Sequence, residues 1–212
     1  MIDQAVLRAF ERRDEPMQEL AAQADAVAQA CHAMAVRFHQ GGKLLVFGLG
    51  GASTDAQHVA VEFVHPVIVG KRALPAISLT TDVATVTGVA ARDGIAAIFA
   101  HQIRYLAAPE DIALGLCADA NSAEGGGTSV AAGLAAANEL GLLTIALAGG
   151  SKGAGEAGGV LTGAPYVDHL LLAASDDPRV VKELQVTTYH VLWELVHVFF
   201  EQPGVLAPGV VT

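Results

Sequence analysis

The residues best suited to chemistry lie on two helical segments far apart in the sequence. His58 and Glu62 are four residues apart, so in a helix their side chains share one face. A histidine and a carboxylate placed in this way bind a divalent metal or act as an acid and a base, and an ordinary surface pair has the same spacing. His190 lies among apolar residues of the last helical segment, where it is either a packing residue or a catalytic group.

A glycine-rich turn precedes the first of these helical segments. The residues from Gly48 to Gly51 follow an apolar run, so a ligand can approach the backbone where the helix begins. Free N–H groups at a helix N-terminus favour an anion. The turn is not a dinucleotide-binding fingerprint, because Ser53 stands where the third glycine is required. The pattern fits a phosphate site, and it equally fits close packing of a strand against a helix.

Alternating apolar and helical segments must position these groups. Residues 3–40 predict two helices with a break near Pro16, and Gly41-Gly42 ends the second helix. Strands are predicted at 44–47, 73–79, 111–117, 142–150 and 167–175. Helices are predicted at 53–64, after residue 82, at 130–141 and at 177–201.

This order predicts an α/β fold with a parallel sheet that is covered on both faces. Ligands of such sheets bind at the carboxyl ends of the strands. We therefore expect the loops at 48–54, 80–82, 117–129 and 149–155 to surround the site. We expect a single domain, with N-terminal helices at 1–40, a sheet-and-helix core at 41–201 and a tail at 202–212.

The composition excludes several classes of protein. The chain has 212 residues, of which 52% are hydrophobic and 16% charged, so it is not a disordered chain. Its formal net charge of −10 argues against direct nucleic-acid binding and against binding to anionic membranes. Cys31 and Cys117 have neither a disulfide-framework nor a metal-binding spacing, so we expect reduced, buried thiols. Without a signal segment or a long apolar run, the sequence predicts a cytoplasmic protein.

The ordered motifs resemble the SIS (sugar isomerase) domain, and within it the phosphoheptose isomerase branch. The likeness rests on KLLVFGLGGASTDAQHVAVEF, LPAISLTTDVATVTGVA, EDIALGL, LGLLTIALAGG and SDDPRVVKELQVTTYHVLWEL, which together cover about residues 20–200. The resemblance implies a three-layer αβα sandwich of the flavodoxin-like, doubly wound type with a five-stranded parallel sheet. It implies a homotetramer with active sites at subunit interfaces. It also implies aldose–ketose isomerisation of sedoheptulose 7-phosphate through an enediol.

The resemblance also assigns roles to residues. It implies that Glu62 and His190 carry the proton transfers, and that His58, Glu62 and His190 hold a zinc ion, with no other cofactor. The substrate-binding residues that it implies are Gly50, Gly51, Asp82, Asn121 and Ser122. We add Ser53 and Thr54, which could substitute for the polar contacts that the first loop of this chain lacks. Asp82 contacts either substrate hydroxyls or its own loop as a cap.

Several positions depart from the family pattern. Leu49 and Ala52 replace two polar residues of the first loop, and Asp119 places a carboxylate in the loop that binds phosphate in the family. Thr128 and Ser129, in the longer segment that follows, could rebuild an anion site. Lys182 stands where the family has a zinc-binding glutamine, and we expect it to pair with Glu62 in place of the metal's charge.

Three functions remain open at this point. The first is a sugar-phosphate isomerase with a rebuilt phosphate loop. The second is a non-catalytic SIS protein that binds a phosphosugar or a protein partner, and the third is an isomerase or lyase for another sugar derivative. The position of the basic residues relative to the 117–129 loop helps to distinguish the first two.

Overall fold

Strands and helices alternate along the chain in the computed structural model, which describes residues 2–121, 126–150, 160–202 and 204–206. The strands are β1 (Leu44–Gly48), β2 (Ala76–Ser78), β3 (Ile112–Cys117), β4 (Leu143–Gly150) and β5 (His169–Ala174). The helices are α1 (Ile2–Ala21), α2 (Ala24–His39), α3 (Gly51–Val64), α4 (Val83–Asp93), α5 (Ile98–Leu106), α6 (Gly126–Glu139) and α7 (Pro178–Glu201). A single 3-10 turn at Ile95–Ala97 joins α4 to α5.

The five strands form one parallel sheet in the order β2-β1-β3-β4-β5, which confirms the predicted fold class. The chain moves outward from β1 to β2 and then returns to β3 on the other side of β1. The strand order therefore reverses between β1 and β3. In an open parallel sheet this is the place where the loops part and a ligand can enter.

Apolar side chains fill both faces of the sheet, because buried parallel strands are apolar on both sides. One face packs against α2, α3 and α7, with Phe63 and Trp193 among the buried side chains. The other face packs against the helices that follow β2 and β3, with Phe99 and Leu134 buried there. Among the described residues, the structure has no helix with the length and hydrophobicity needed to cross a bilayer.

The predicted helix break near Pro16 is wrong, because α1 continues through this residue. Proline removes the backbone donor to the carbonyl four residues earlier, at Arg12. Arg12 is exposed, so water can satisfy that carbonyl, while Pro16 itself is buried. The break lies at residues 22–23, where the Gln23 side chain bonds both the N–H and the carbonyl of Leu172 on the edge strand β5.

Other element boundaries differ from the prediction by a few residues. The predicted strand at 73–79 is shorter, because Leu74 donates its N–H to the Phe63 carbonyl and Pro75 has no N–H for a ladder. Helix α3 begins two residues earlier than predicted and α6 four residues earlier. The predicted stop of α2 is confirmed: Gly42 donates to the Arg37 carbonyl, five residues back, as in a Schellman motif.

Candidate active site

Three possible metal ligands meet between helices α3 and α7. His58 Nε2 lies 3.3 Å from His190 Nε2 and 3.4 Å from Glu62 Oε1. One ligand atom from each residue lies within 4.8 Å of the others. His190 is exposed and faces His58, so it does not serve as a buried packing residue.

This donor set suits a divalent cation. Two imidazoles and one carboxylate are the protein ligands of many catalytic zinc sites, which leave a position open for water or substrate. Ligands bound tetrahedrally about 2.1 Å from zinc lie about 3.4 Å from each other, and the His58–His190 and His58–Glu62 separations match this value. The three residues therefore fit a metal without a large rearrangement.

Contacts between α3 and α7 fix the three side chains. The indole Nε1 of Trp193 donates to the Glu62 carbonyl at 2.9 Å, which ties the end of α3 to α7. The Tyr189 ring lies 5.6 Å from the His58 ring and 4.7 Å from the His190 ring. Tyr189 is only 4% exposed, and burial together with the negative charges of Asp55 and Glu62 raises its pKa to about 12. Its hydroxyl therefore stays protonated beside the site.

Lys182 does not pair with Glu62, so that expectation is wrong. Its Nζ donates to Asp55 Oδ2 at 2.6 Å and to the Gly51 carbonyl at 3.2 Å. Lys182 lies two turns before His190 on α7, and Asp55 lies near the start of α3. The lysine therefore contacts the beginning of α3, whereas Glu62 lies near the end of that helix.

A separate cavity of about 190 Å³ lies where the strand order reverses. Its lining comes from the ends of β1 and β3 and from the start of α6: Leu49, Leu116, Cys117, Ala118, Asp119, Gly126 and Gly127. The exposed Asp119 turns its carboxylate back on its own loop, where Oδ1 accepts the Asn121 N–H at 2.8 Å. That N–H is therefore already taken in this structure.

The first loop keeps its hydroxyls close to its own backbone. Gly50 has a φ of 60°, a conformation that favours glycine, and from it α3 begins. Ser53 donates to the Gly50 carbonyl and Thr54 to the Gly51 carbonyl, each at 2.7 Å. Thr80, in the 80–82 loop, donates to the Ser53 carbonyl at 3.3 Å, so these two loops meet as predicted.

Asp82 acts as a helix cap in this structure. Its carboxylate accepts the Thr85 N–H at 3.0 Å and the Thr85 hydroxyl at 2.6 Å, so it caps the N-terminus of α4. These bonds lower the pKa of Asp82. The sequence left open whether Asp82 contacts substrate hydroxyls or caps its own loop. In the structure its carboxylate forms the cap.

The segment after β3 lies only partly within the described residues. Asn121 accepts a hydrogen bond from Thr162 at 3.3 Å, and Ser122 lies outside the described residues. Ser129 is fully buried and donates to the Ile95 carbonyl at 3.0 Å, so it does not contribute to an anion site. Its predicted role there is wrong.

No basic side chain among the described residues lines the cavity at the strand reversal. Four of the basic residues that follow β1 pair with acidic residues elsewhere: Lys71 with Glu201, Arg92 with Asp93, Arg104 with Glu139 and Arg179 with Asp177. Arg72 lies over the Phe200 ring, and Lys182 pairs with Asp55. Lys152 lies outside the described residues.

Sequence reasoning missed the role of Gln185. This residue is 4% exposed, and its side-chain amide donates to the Cys117 carbonyl at 2.7 Å and to the Leu147 carbonyl at 3.0 Å. It therefore ties α7 to the ends of β3 and β4 beneath the cavity. Gln185 stands between Leu184 and Val186 in the last helical segment, and this polar residue among apolar neighbours is the signal that the sequence offers for its role.

Comparison with known proteins gives consistent results. The SIS domain family model matches residues 10–149. A phosphoheptose isomerase of Solidesulfovibrio magneticus is 37% identical over 186 residues, which are 87% of this chain and 84% of the relative. One from Desulfovibrio desulfuricans is 34% identical over 171 residues, covering 80% of this chain and 75% of that protein.

Solved structures show the same likeness. The structure of a phosphoheptose isomerase from Neisseria gonorrhoeae has a TM-score of 0.78 and 25% identity. One from Francisella tularensis has a TM-score of 0.77 and 31% identity. Each comparison covers 92% of this chain and 98% of the other.

Proposed function

This chain belongs to the SIS domain family and, within it, to the phosphoheptose isomerases, and we propose that it interconverts sedoheptulose 7-phosphate and a heptose 7-phosphate. The observation that carries the proposal is the meeting of Glu62 and His190 between α3 and α7, with His58 beside both. An aldose–ketose isomerisation requires a base and an acid beside two neighbouring carbons, and a carboxylate and an imidazole can fill these roles.

The reaction removes a proton from one carbon and adds a proton to its neighbour. Glu62 removes a proton from C1 of the ketose, and the C2 carbonyl oxygen gains a proton, which gives an enediol. His190 returns a proton to C2, and loss of the O1 proton leaves the aldehyde at C1. Glu62 is placed for the role of base because it is only 9% exposed and lines one groove together with His190.

The same residues would hold a zinc ion, with His58 Nε2, His190 Nε2 and a Glu62 oxygen as ligands. A bound cation would supply Lewis acidity toward the substrate's carbonyl oxygen. His190 Nε2 has one lone pair, so it cannot hold a metal and accept a proton at the same time. Turnover with added zinc and with a chelator therefore separates these two roles.

Substrate binding is assigned to the loops at the carboxyl ends of the strands. We propose that the phosphate binds near Gly50, Gly51, Ser53, Thr54 and Asn121, because Leu49 and Asp119 line the cavity at the strand reversal, Leu49 precedes Gly50, and Asp119 bonds the Asn121 N–H. Ser122, which lies outside the described residues, stays part of this proposal by its place in the sequence. Glu62 lies 11 residues beyond Gly51, which is about 16 Å along the axis of α3. The phosphate loops and the proton-transfer residues therefore lie toward opposite ends of one helix.

We propose a homotetramer whose active sites are completed between subunits. In such an assembly the phosphate loops of one subunit would lie near the proton-transfer residues of another, although the two groups are separated within one chain. Exposed apolar residues adjoin the proton-transfer residues: Val67 is 70% exposed and Ile68 is 51% exposed. Glu62 and His190 line a groove of about 410 Å³ together with Val67 and Ile68. Exposed apolar patches of this kind mark interaction sites. Light scattering of Val67→Glu beside the unchanged protein tests the assembly, with smaller particles expected for the variant.

The test of the activity is phosphorus NMR of sedoheptulose 7-phosphate with the purified protein. We expect a heptose 7-phosphate signal that Glu62→Gln abolishes. Two observations favour the alternative, a non-catalytic phosphosugar-binding or protein-binding role: Asp119 takes up the Asn121 N–H beside the cavity, and no basic side chain among the described residues lines that cavity. Membership in a family of isomerases does not favour that alternative. Absence of turnover by the unchanged protein would support it.

A further inference from the structure

An ion pair joins the same two helices that carry the proposed metal ligands. Lys182 on α7 donates to Asp55 on α3 at 2.6 Å, and the same ammonium donates to the Gly51 carbonyl at 3.2 Å. Asp55 is 6% exposed, whereas almost half of the Lys182 side chain is exposed. The carboxylate is therefore enclosed by the protein, and the lysine reaches it from the surface.

Asp55 and the proposed ligands are close neighbours. Asp55 lies one turn before His58 on α3, and both Asp55 and Glu62 are near enough to Tyr189 for their charges to raise its pKa. Tyr189 in turn precedes His190 and packs against its ring. The Asp55–Lys182 pair therefore belongs to the same electrostatic environment as the three ligands.

An ammonium in this environment would oppose a metal ion. It has three donors and no lone pair, so it cannot be a ligand while protonated, and it would compete with a cation for a carboxylate. Glu62 is the only other acidic residue on α3. Without Asp55, the positive charge of Lys182 would stand unbalanced at the beginning of α3, beside the turn that precedes His58.

We propose that Asp55 acts as a positioning residue that holds the Lys182 ammonium at the beginning of α3 and balances its charge, which keeps the His58–Glu62–His190 group available to a divalent cation. This inference rests on the proposed metal site. The pair contributes no net charge, so the site keeps the negative charge of Glu62. A partly exposed ion pair adds little to folding stability, so stability alone gives a weak reason for it.

A double-mutant cycle tests this role through metal affinity. Asp55→Asn, Lys182→Met and the double variant are titrated with Co²⁺ against a chromophoric chelator, and the visible spectrum of bound Co²⁺ reports its coordination. We expect Asp55→Asn to raise the dissociation constant about tenfold, because it releases one positive charge beside a divalent cation. Lys182→Met removes that charge, so we expect it to lower the constant, and the double variant to return near the value of the unchanged protein.

A matched control lies on the same helix. Glu183→Gln removes the partner of Arg13 in another exposed ion pair of α7. We expect it to leave the Co²⁺ affinity unchanged. Circular dichroism of each variant identifies loss of folding, and the double variant keeps the test valid if Asp55→Asn alone unfolds.

The outcomes separate this inference from the metal site on which it rests. Weak binding by Asp55→Asn that Lys182→Met restores, with an unchanged Co²⁺ spectrum, supports the role of Asp55. Equal affinities for the unchanged protein and Asp55→Asn overturn it while the metal site stands. Absence of Co²⁺ binding by the unchanged protein overturns both.

Discussion

Replacing Gln185 by methionine should weaken both folding and substrate binding, and a control variant separates the two effects. The substitution keeps the length of the side chain and removes two hydrogen bonds, to the Cys117 and Leu147 carbonyls. Each such bond contributes about 1 kcal/mol net, and buried carbonyls left without partners add to the loss. We expect the free energy of unfolding to fall by about 2 kcal/mol, which lowers the melting temperature by roughly 4–8 °C in a chain of this size.

Gln102 provides a matched control for this variant. It is 5% exposed, and its amide also donates to two carbonyls, those of Leu79 at 3.0 Å and Ile98 at 3.1 Å. Gln102→Met should lose a similar free energy of unfolding, as measured by urea denaturation. Only Gln185 supports a carbonyl beside the cavity at the strand reversal, so only its variant should raise the KM for sedoheptulose 7-phosphate. An equal rise in KM for both variants, or no loss of stability in Gln185→Met, would refute this reasoning.

Three further variants test other parts of the account. Asp119→Ser should lower the KM for sedoheptulose 7-phosphate about tenfold. The Asp119 carboxylate and the phosphate would repel each other, by on the order of 1–4 kcal/mol for unit charges near 4 Å. An unchanged KM would show that phosphate does not approach this loop. Gly149→Ala places a Cβ 2.0 Å from a backbone carbonyl and should destabilise the fold by about 1–3 kcal/mol in urea denaturation, whereas Gly88→Ala, with open space around its Cβ, should not. Bonds from Arg179 lower the pKa of Asp177 to about 2 in the folded protein. The pKa of this carboxyl in the unfolded chain is near 4. The stability that the carboxylate contributes is therefore present above pH 4 and is lost as the pH falls through 2. Asp177→Asn should flatten that acid limb in thermal melts, and an identical limb would contradict the assignment.

The fold was largely predictable because the pattern is strong. Apolar runs of buried strands, separated by helical segments, determine a parallel sheet whatever the detailed contacts. The errors lie where tertiary contacts override local preference. Pro16 does not break α1, because its face is buried and the affected carbonyl can meet water. The helix instead ends where Gln23 bonds the edge strand, a contact across 149 residues that no local signal reveals.

The candidate site was predictable only in part. The spacing of His58 and Glu62 indicates a shared helix face, and resemblance to the family adds His190, which the structure brings to 3.3 Å from His58. The partner of Lys182 could not be read from the sequence, because it depends on how α7 lies against α3. The proton-transfer, metal and substrate-binding assignments remain predictions.

Deuterium incorporation tests the central claim most directly. Sedoheptulose 7-phosphate is incubated with the protein in D₂O, and proton NMR follows C2 of the heptose 7-phosphate that forms. The account predicts product carrying deuterium at C2 with the unchanged protein, and a rate at least roughly 100-fold lower with Glu62→Gln. Product without deuterium would exclude a solvent-exchanging enediol, and turnover preserved in Glu62→Gln would show that another group removes the proton.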